Sequence, residues 1–139
     1  MVNGQKDYLC EEQLIYMKQK KEETEIVTEA ILEGIKRLKG KDITLIDLES
    51  IHHTECSTFV ICHGTSSTHV SSIAQSVEET VKETLEADVW HRDGYRNALW
   101  ILLDYGDVMV HVFQKEAREF YNLEGLWADA KTKKIEEVD

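Results

Sequence analysis

Apolar residues recur at helical spacing in two long stretches of the chain. The first stretch, Thr24 to Lys39, has acidic residues near its start and basic residues near its end, which complements the helix dipole. The second, Ser66 to Ala87, carries the clearest apolar stripe, and Ser66 or Ser67 can cap it. The pattern therefore predicts two amphipathic helices, with Gly40 ending the first.

Shorter apolar runs predict the strands. Asp42–Leu48 and Ser57–Gly64 are nearly continuous apolar runs, typical of strands that are covered on both faces. A third strand is predicted near Asp88–Arg92, ahead of a turn at Asp93 and Gly94.

The segment "LWILLDYGDVMVHVF" predicts an antiparallel hairpin around the corner Asp104–Asp107. Gly106 suits a positive φ, and aspartate is a common turn residue. Alternation along a strand places Trp100, Leu102 and Asp104 on one face of the sheet. After Gln114 the pattern becomes helical again.

The predicted order is α-β-β-α-β-β-β-α. A long helix between the second and third strands requires a crossover, and the last strands form an antiparallel edge. The fold class is thus α/β, a single domain with a mixed β-sheet flanked by helices. Residues 1–22 are predicted as an extension that is helical or frayed, 23–130 as the domain, and 131–139 as a polar tail.

Length and composition agree with one globular domain of 139 residues, of which 42% are hydrophobic and 31% charged. No apolar run is long enough for a membrane span, and the first residues lack the apolar segment of a secretory signal. Cys10, Cys56 and Cys62 have no disulfide-framework spacing, so free thiols in the cytoplasm are predicted.

The net charge of −11 restricts the class of partner. Phosphate backbones are bound chiefly by Lys and Arg, and the basic runs here, Lys18–Lys21 and Lys131–Lys134, both lie beside acidic residues. Direct nucleic-acid contact is therefore disfavoured, whereas a basic protein partner is electrostatically reasonable.

A metal site is one alternative suggested by the ligand-type residues His52, His53, Cys56, Cys62 and His63. Zinc uses these residue types, but the last two would point to opposite faces of a strand, and their spacing is not that of a zinc knuckle. Neither a metal nor another cofactor is predicted.

A nucleotidyltransferase-like enzyme is a second alternative. Gly64, Thr65 and Ser66 lie between a predicted strand and helix, where backbone N–H groups can face phosphate. That chemistry needs two carboxylates on one strand face, and Asp104 and Asp107 lie across a turn instead. A structural turn with a serine cap is favoured, and the enzyme reading stays open.

The hairpin can be explained as a purely structural element, except for Tyr105 at its corner and Trp100 at its start. Aromatic residues flanked by acids are typical of protein interfaces, so docking competes with the structural explanation. A lone His111 on a strand is more often packed than catalytic.

The segments "KGKDITLIDL", "STFVICHGTSSTHVSSIA" and "WILLDYGDVMVHVFQKEAREFYNLEGLW", in this order, closely resemble the bacterial ribosomal silencing factor (Iojap-related) family. The resemblance spans about residues 26–130. It implies a mixed sheet related to nucleotidyltransferases but without their catalytic residues. It also implies a translational repressor, not an enzyme, that binds the large ribosomal subunit through its protein number fourteen and blocks joining of the small subunit when nutrients are short.

The resemblance also implies a docking surface. Its predicted residues are Trp100, Leu102, Asp104, Tyr105, Gly106 and Asp107. Trp100 and Tyr105 would be the apolar anchors, and the two aspartates would meet Lys or Arg of the partner. His111 and Arg118 are rim or structural positions. Phe120, Tyr121, Leu123 and Trp127 are expected to close the core, with Tyr121 also a candidate for the rim.

The sequence departs from the family pattern at Leu99, where an acidic residue is common. The expected partner is protein, with little nucleic-acid contact and no membrane. The oligomeric state, monomer or weak homodimer, stays open, and so does a homodimer that uses the hairpin as its own interface.

Overall fold

The long N-terminal helix begins well before the position that its apolar pattern predicted. The computed structural model describes residues 10–49, 51 and 56–136. Helix α1 spans Glu11–Arg37 and so runs without interruption across the predicted boundary at residue 22. Sγ of Cys10 accepts a hydrogen bond from N of Gln13, and N of Cys10 donates to Oε1 of Gln13. This capping box starts the helix, with cysteine in the place that serine or threonine usually takes.

The second helix agrees with its prediction. Helix α2 spans Ser67–Leu85, and Oγ of Ser66 accepts a hydrogen bond from N of His69 at 3.1 Å. It packs against α1 at Gly34, where a Cβ atom would lie 2.7 Å from Cα of Val77. Oγ of Ser76 also donates to the carbonyl oxygen of Gly34 at 2.7 Å. A small residue at position 34 therefore allows the close approach of the two helices.

Six strands form one mixed sheet within the described residues, in the order β3-β4-β5-β2-β1-β6. Strands β2 and β5 are parallel, and the other neighbouring pairs are antiparallel. The predicted α/β class with a crossover and an antiparallel hairpin is confirmed. The strands are β1 Lys41–Asp47, β2 Thr58–Gly64, β3 His91–Asp93, β4 Trp100–Asp104, β5 Val108–Gln114 and β6 Lys131–Lys134.

Two strands differ from the prediction. Strand β3 is short and begins at His91, not near Asp88. Strand β6 was not predicted: its residues lie at the start of the predicted polar tail and pair antiparallel with Thr44–Asp47 of β1. Four exposed residues, three of them lysines, carry no apolar alternation that would identify a strand. Lysine is a common residue on edge strands because it discourages further pairing.

The two faces of the sheet are covered very differently. The 27-residue α1 and the 19-residue α2 cover the first face, whose core includes Ile31, Ile35, Val77, Ile101, Leu103 and Val110. Helices α3, Lys115–Tyr121, and α4, Leu123–Leu126, lie on the second face, over a core that includes Ile46, Leu48, Ile61 and Phe113. Because these helices are short, part of the second face at β4 stays accessible: Trp100, Leu102 and Asp104 are only partly buried, whereas Ile101 and Leu103 are fully buried.

Candidate docking surface

The corner between β4 and β5 is fixed by hydrogen bonds among its own residues. N of Tyr105 donates to the carbonyl oxygen of Val108 at 2.9 Å, and N of Gly106 donates to Oδ1 of Asp104 at 2.7 Å. Gly106 has φ +90°, which residues with a Cβ rarely adopt. The predicted turn role of Gly106 and Asp104 is therefore confirmed.

Trp100 lies on the second face of the sheet among other aromatic rings. Its Nε1 donates to Nδ1 of His111 at 3.1 Å, and its ring lies 4.9 Å from that of Phe113 and 4.8 Å from that of Tyr121. The indole is thus held in one orientation and remains partly exposed. A fixed, partly exposed aromatic ring suits the anchor role that was predicted for it.

Tyr105 differs from the prediction. It packs against the first-face core, and its hydroxyl is buried with no hydrogen-bond partner among the described residues. Burial, followed by the charge of Glu78, raises the pKa of this phenol. The expectation of an exposed aromatic at the corner is wrong for Tyr105, because strand alternation points its side chain away from the face that carries Trp100.

The backbone of Asp107 is held by hydrogen bonds, and its carboxylate lies at the protein surface. Its carbonyl oxygen accepts from N of Ser57 at 2.8 Å and from N of Thr58 at 3.1 Å. Its side chain is 36% exposed, and its carboxylate lies 3.6 Å from Nζ of Lys20 on α1. This is a weak surface ion pair, so the carboxylate remains available to a stronger cationic partner.

The two aspartates of the corner act together on a buried thiol. Burial first, and then the charges of Asp104 and Asp107, raise the pKa of Cys56 to about 11. The thiol is therefore neutral at physiological pH.

The carboxylates of Asp104 and Asp107 also make the corner a negatively charged part of the surface.

Trp90 is an exposed aromatic at the corner that the sequence reasoning missed. It is 78% exposed, and its N donates to the carbonyl oxygen of Asp104 at 2.8 Å. Its ring lies over Gly106, since a Cβ atom there would come within 2.9 Å of the indole. The predicted strand near Asp88–Arg92 had included Trp90 as a strand residue. The available signal was the mostly polar context "ADVWHRDG", in which Val89 is the one large apolar residue beside Trp90.

Arg118 is structural. Its side chain is 8% exposed, and its guanidinium donates to Oε2 of Glu124 at 2.8 Å, to Oγ1 of Thr44 at 3.2 Å and to Nδ1 of His63 at 3.0 Å. The side chain thus ties α3 and α4 to strands β1 and β2. It supports the second face and does not present its charge to a partner.

His111 is a packed histidine. It is buried against Phe59 and Trp100, with its Nδ1 accepting the hydrogen bond from the indole. Burial lowers its pKa to about 4, so the ring is neutral at physiological pH. His111 orients Trp100. This is the structural role, one of the two roles (rim or structural) that were predicted for His111.

The four residues of α3, α4 and the end of α4 that were expected to close the core divide into two groups. Phe120 is 81% exposed and Tyr121 is also exposed, so the expectation that they close the core is wrong. Leu123 and Trp127 do pack against the second-face core. Tyr121 lies against Trp100 at the margin of the accessible part of the second face, which fits the rim position considered for it.

The segment Gly64–Ser66 forms a strand-to-helix turn. Oγ of Ser66 is engaged in capping α2, and Nδ1 of His69 accepts from N of Thr65 at 2.9 Å. In the described part of the chain, no group of three or more His, Cys, Asp or Glu side chains could hold a metal ion. His52 and His53 of the considered metal cluster lie outside the described residues.

The model of the family described as "Ribosomal silencing factor during starvation" matches residues 20–139. The chain belongs to this family. It is 45% identical over 80 residues to a ribosomal silencing factor of Halalkalibacterium halodurans, covering 58% of this chain and 68% of the relative. It is 41% identical over 92 residues to that of Bacillus subtilis, covering 66% and 76%. A crystal structure of a Chromobacterium violaceum protein superposes with a TM-score of 0.71 at 30% identity, over 75% of this chain and 85% of that one.

Membership of the silencing factor family confirms the resemblance on which the sequence reasoning rested. It identifies this protein as a regulator of translation associated with the ribosome. Among the described residues, no helix is long and apolar enough to cross a membrane.

Proposed function

We propose that this silencing factor lowers translation under nutrient limitation by binding the intersubunit face of the large ribosomal subunit and sterically blocking the small subunit. The partner on that subunit is its protein number fourteen, and the site of action is the cytoplasm. The observation that carries the proposal is the surface at the β4–β5 corner, where an accessible sheet face leads to the carboxylates of Asp104 and Asp107. The docking surface consists of Trp90, Trp100, Leu102, Asp104, Gly106 and Asp107.

The surface has the composition of a protein interface. Trp100 and Leu102 provide a partly exposed apolar centre on β4, next to the carboxylates of the corner. Large aromatic residues in such a setting commonly dominate binding energy. The carboxylates, in a chain of net charge −11, favour a partner whose contact surface carries Lys or Arg.

Trp90 replaces Tyr105 as the exposed aromatic of the corner. Its backbone is tied to β4, and its indole covers Gly106 while most of the side chain faces solvent. Tyr105 instead supports the corner from the first face. The proposed surface therefore keeps five of the six predicted residues and gains one.

Silencing requires only that the protein occupies its site on the large subunit. A folded chain of this length has a radius of gyration of about 14 Å, too large for a gap that closes to direct contact between subunits. Binding to the free large subunit removes it from the association equilibrium by mass action. No bond is made or broken, which agrees with a surface built from packing residues and carboxylates.

The direct test is co-sedimentation with purified large subunits, followed by competition with small subunits. We expect binding by the native protein and a loss of at least tenfold in affinity for Asp107→Lys, because the reversal places a cation against a basic partner. Glu79→Lys is the matched control, since it makes the same charge change at an exposed position of α2. Absence of binding by the native protein, or equal effects of the two substitutions, would refute the proposal.

A further inference from the structure

The first part of α1 extends past the docking surface and is exposed among the described residues. Lys20 is level with the corner, because its Nζ lies 3.6 Å from the carboxylate of Asp107. At 1.5 Å per residue, Glu11 lies about 14 Å further along the helix axis. Residues 11–19 therefore project from the edge of the proposed surface. We call residues 11–19 the projecting segment.

The projecting segment displays apolar side chains that the described part of the domain does not cover. Every residue from Cys10 to Glu23 is exposed. Four consecutive apolar residues are each more than half exposed: Leu14, Ile15, Tyr16 and Met17. Since consecutive helical residues differ by about 100° in direction, these four surround most of the helix. Packing against the domain cannot bury such an arrangement, and exposed apolar groups of this kind mark interaction sites.

The projecting segment has no tertiary packing against the described part of the domain to stabilise it. Isolated helices shorter than about 12–15 residues are marginal in water, and most helical stability in proteins comes from tertiary packing. The segment gains some support from its continuity with the packed part of α1 and from the Cys10–Gln13 capping box.

The model of the family begins at residue 20, so the segment lies outside the matched part of the chain.

We infer that the projecting segment is a second docking element, which contacts the same large-subunit protein as the β4–β5 corner. This inference rests on the proposed function. The Lys20–Asp107 contact places both elements side by side, so a partner seated on Asp107 lies within reach of the segment. The segment contributes apolar contacts, while the corner contributes the carboxylates. A second copy of this chain is the competing occupant.

The test compares full-length variants for binding to purified large subunits. Replacing Leu14, Ile15, Tyr16 and Met17 together by Ala removes the apolar bulk and retains the helix, because Ala has the highest helix propensity. We expect at least a tenfold loss of affinity with no loss of helicity by circular dichroism. Ile26→Ala is the matched control: Ile26 is exposed on the same helix but lies on the other side of Lys20, and its replacement leaves affinity unchanged.

The outcomes separate this inference from the proposed function. If the fourfold variant binds like the native protein while Asp107→Lys binds weakly, the inference fails and the proposed function stands. If the native protein does not bind large subunits, both fail. If sedimentation shows a native dimer that the fourfold variant dissociates, with subunit binding unchanged, the segment belongs to a second copy and the inference is overturned.

Discussion

Nε1 of Trp100 donates a hydrogen bond to Nδ1 of His111 across the β4–β5 hairpin, over 3.1 Å. Because Nδ1 accepts, the proton of the neutral imidazole resides on Nε2, which is buried without a partner among the described residues. The histidine thereby fixes the orientation of the aromatic side chain that we place at the centre of the docking surface. Protonation of Nδ1 would remove the acceptor.

The first prediction concerns pH. His111 has a pKa of about 4 in the folded protein, below its ordinary value of 6.5, so between these values the unfolded chain binds more protons. Its contribution to stability is complete above pH 6.5 and declines as the pH falls towards 4. We expect His111→Phe to reduce the loss of unfolding free energy between pH 7 and pH 4.5 by about 2 kcal/mol. Urea denaturation of both proteins at the two pH values measures this, and parallel losses would contradict it.

The second prediction concerns Tyr105. Since its buried hydroxyl has no partner among the described residues, Tyr105→Phe should leave the unfolding free energy unchanged or raise it by up to about 1 kcal/mol. Tyr105→Ala should lower it by about 3–5 kcal/mol through loss of packing. Chemical denaturation measures the unfolding free energies of both variants. A marked loss of large-subunit binding by Tyr105→Phe, with stability retained, would instead place the hydroxyl at the interface.

Trp90 provides the third prediction. We expect Trp90→Ala to weaken binding to large subunits by about 2 kcal/mol or more, because an exposed indole over the corner fits an interface hot spot. Its unfolding temperature should change little. Ile26→Ala is a suitable comparison, since it removes an exposed apolar side chain from another surface. Equal affinity of the two variants would exclude Trp90 from the docking surface.

The fourth prediction tests Arg118. Its buried guanidinium is paired with Glu124 and also bonds Thr44 and His63, so Arg118→Ala should lower the unfolding free energy by about 3–5 kcal/mol. Arg92→Ala breaks a partly exposed pair with Glu78 and should lower the unfolding free energy by less than about 1 kcal/mol. Thermal or chemical denaturation distinguishes the two. Similar small effects would show that Arg118 does not hold α3 and α4 to the sheet.

Gly34 provides the fifth prediction. A methyl group there would lie 2.7 Å from the backbone of Val77, so Gly34→Ala should lower the unfolding free energy by about 1–3 kcal/mol despite the higher helix propensity of Ala. Glu29→Ala, at an exposed position of the same helix, should change it by less than about 0.5 kcal/mol. Stabilisation by Gly34→Ala would contradict the close approach of α1 and α2.

Structural features that depend only on residues close together in the chain were predictable from the sequence. The alternation from Trp100 to Asp104 matched the observed faces because adjacent strand residues always point oppositely. The cap at Ser66 and the turn at Gly106 were likewise set by local hydrogen bonds and φ. Strand β6 was not predictable, since Lys131–Lys134 becomes a strand only because β1 offers an unpaired edge.

The sequence by itself determined the alternation of the hairpin, the two amphipathic helices, the negative charge and the family motifs. Tertiary structure decided which side chains of the corner reach solvent. The helices α1 and α2 cover the face to which Tyr105 points, and the late start of β3 leaves Trp90 outside the sheet and over Gly106. Tertiary structure also decided that Arg118 is buried. Its partners His63 and Thr44 lie on two strands and precede it in the sequence by 55 and 74 positions. Burial is a property of the assembled layers, and only the packing of distant segments defines it.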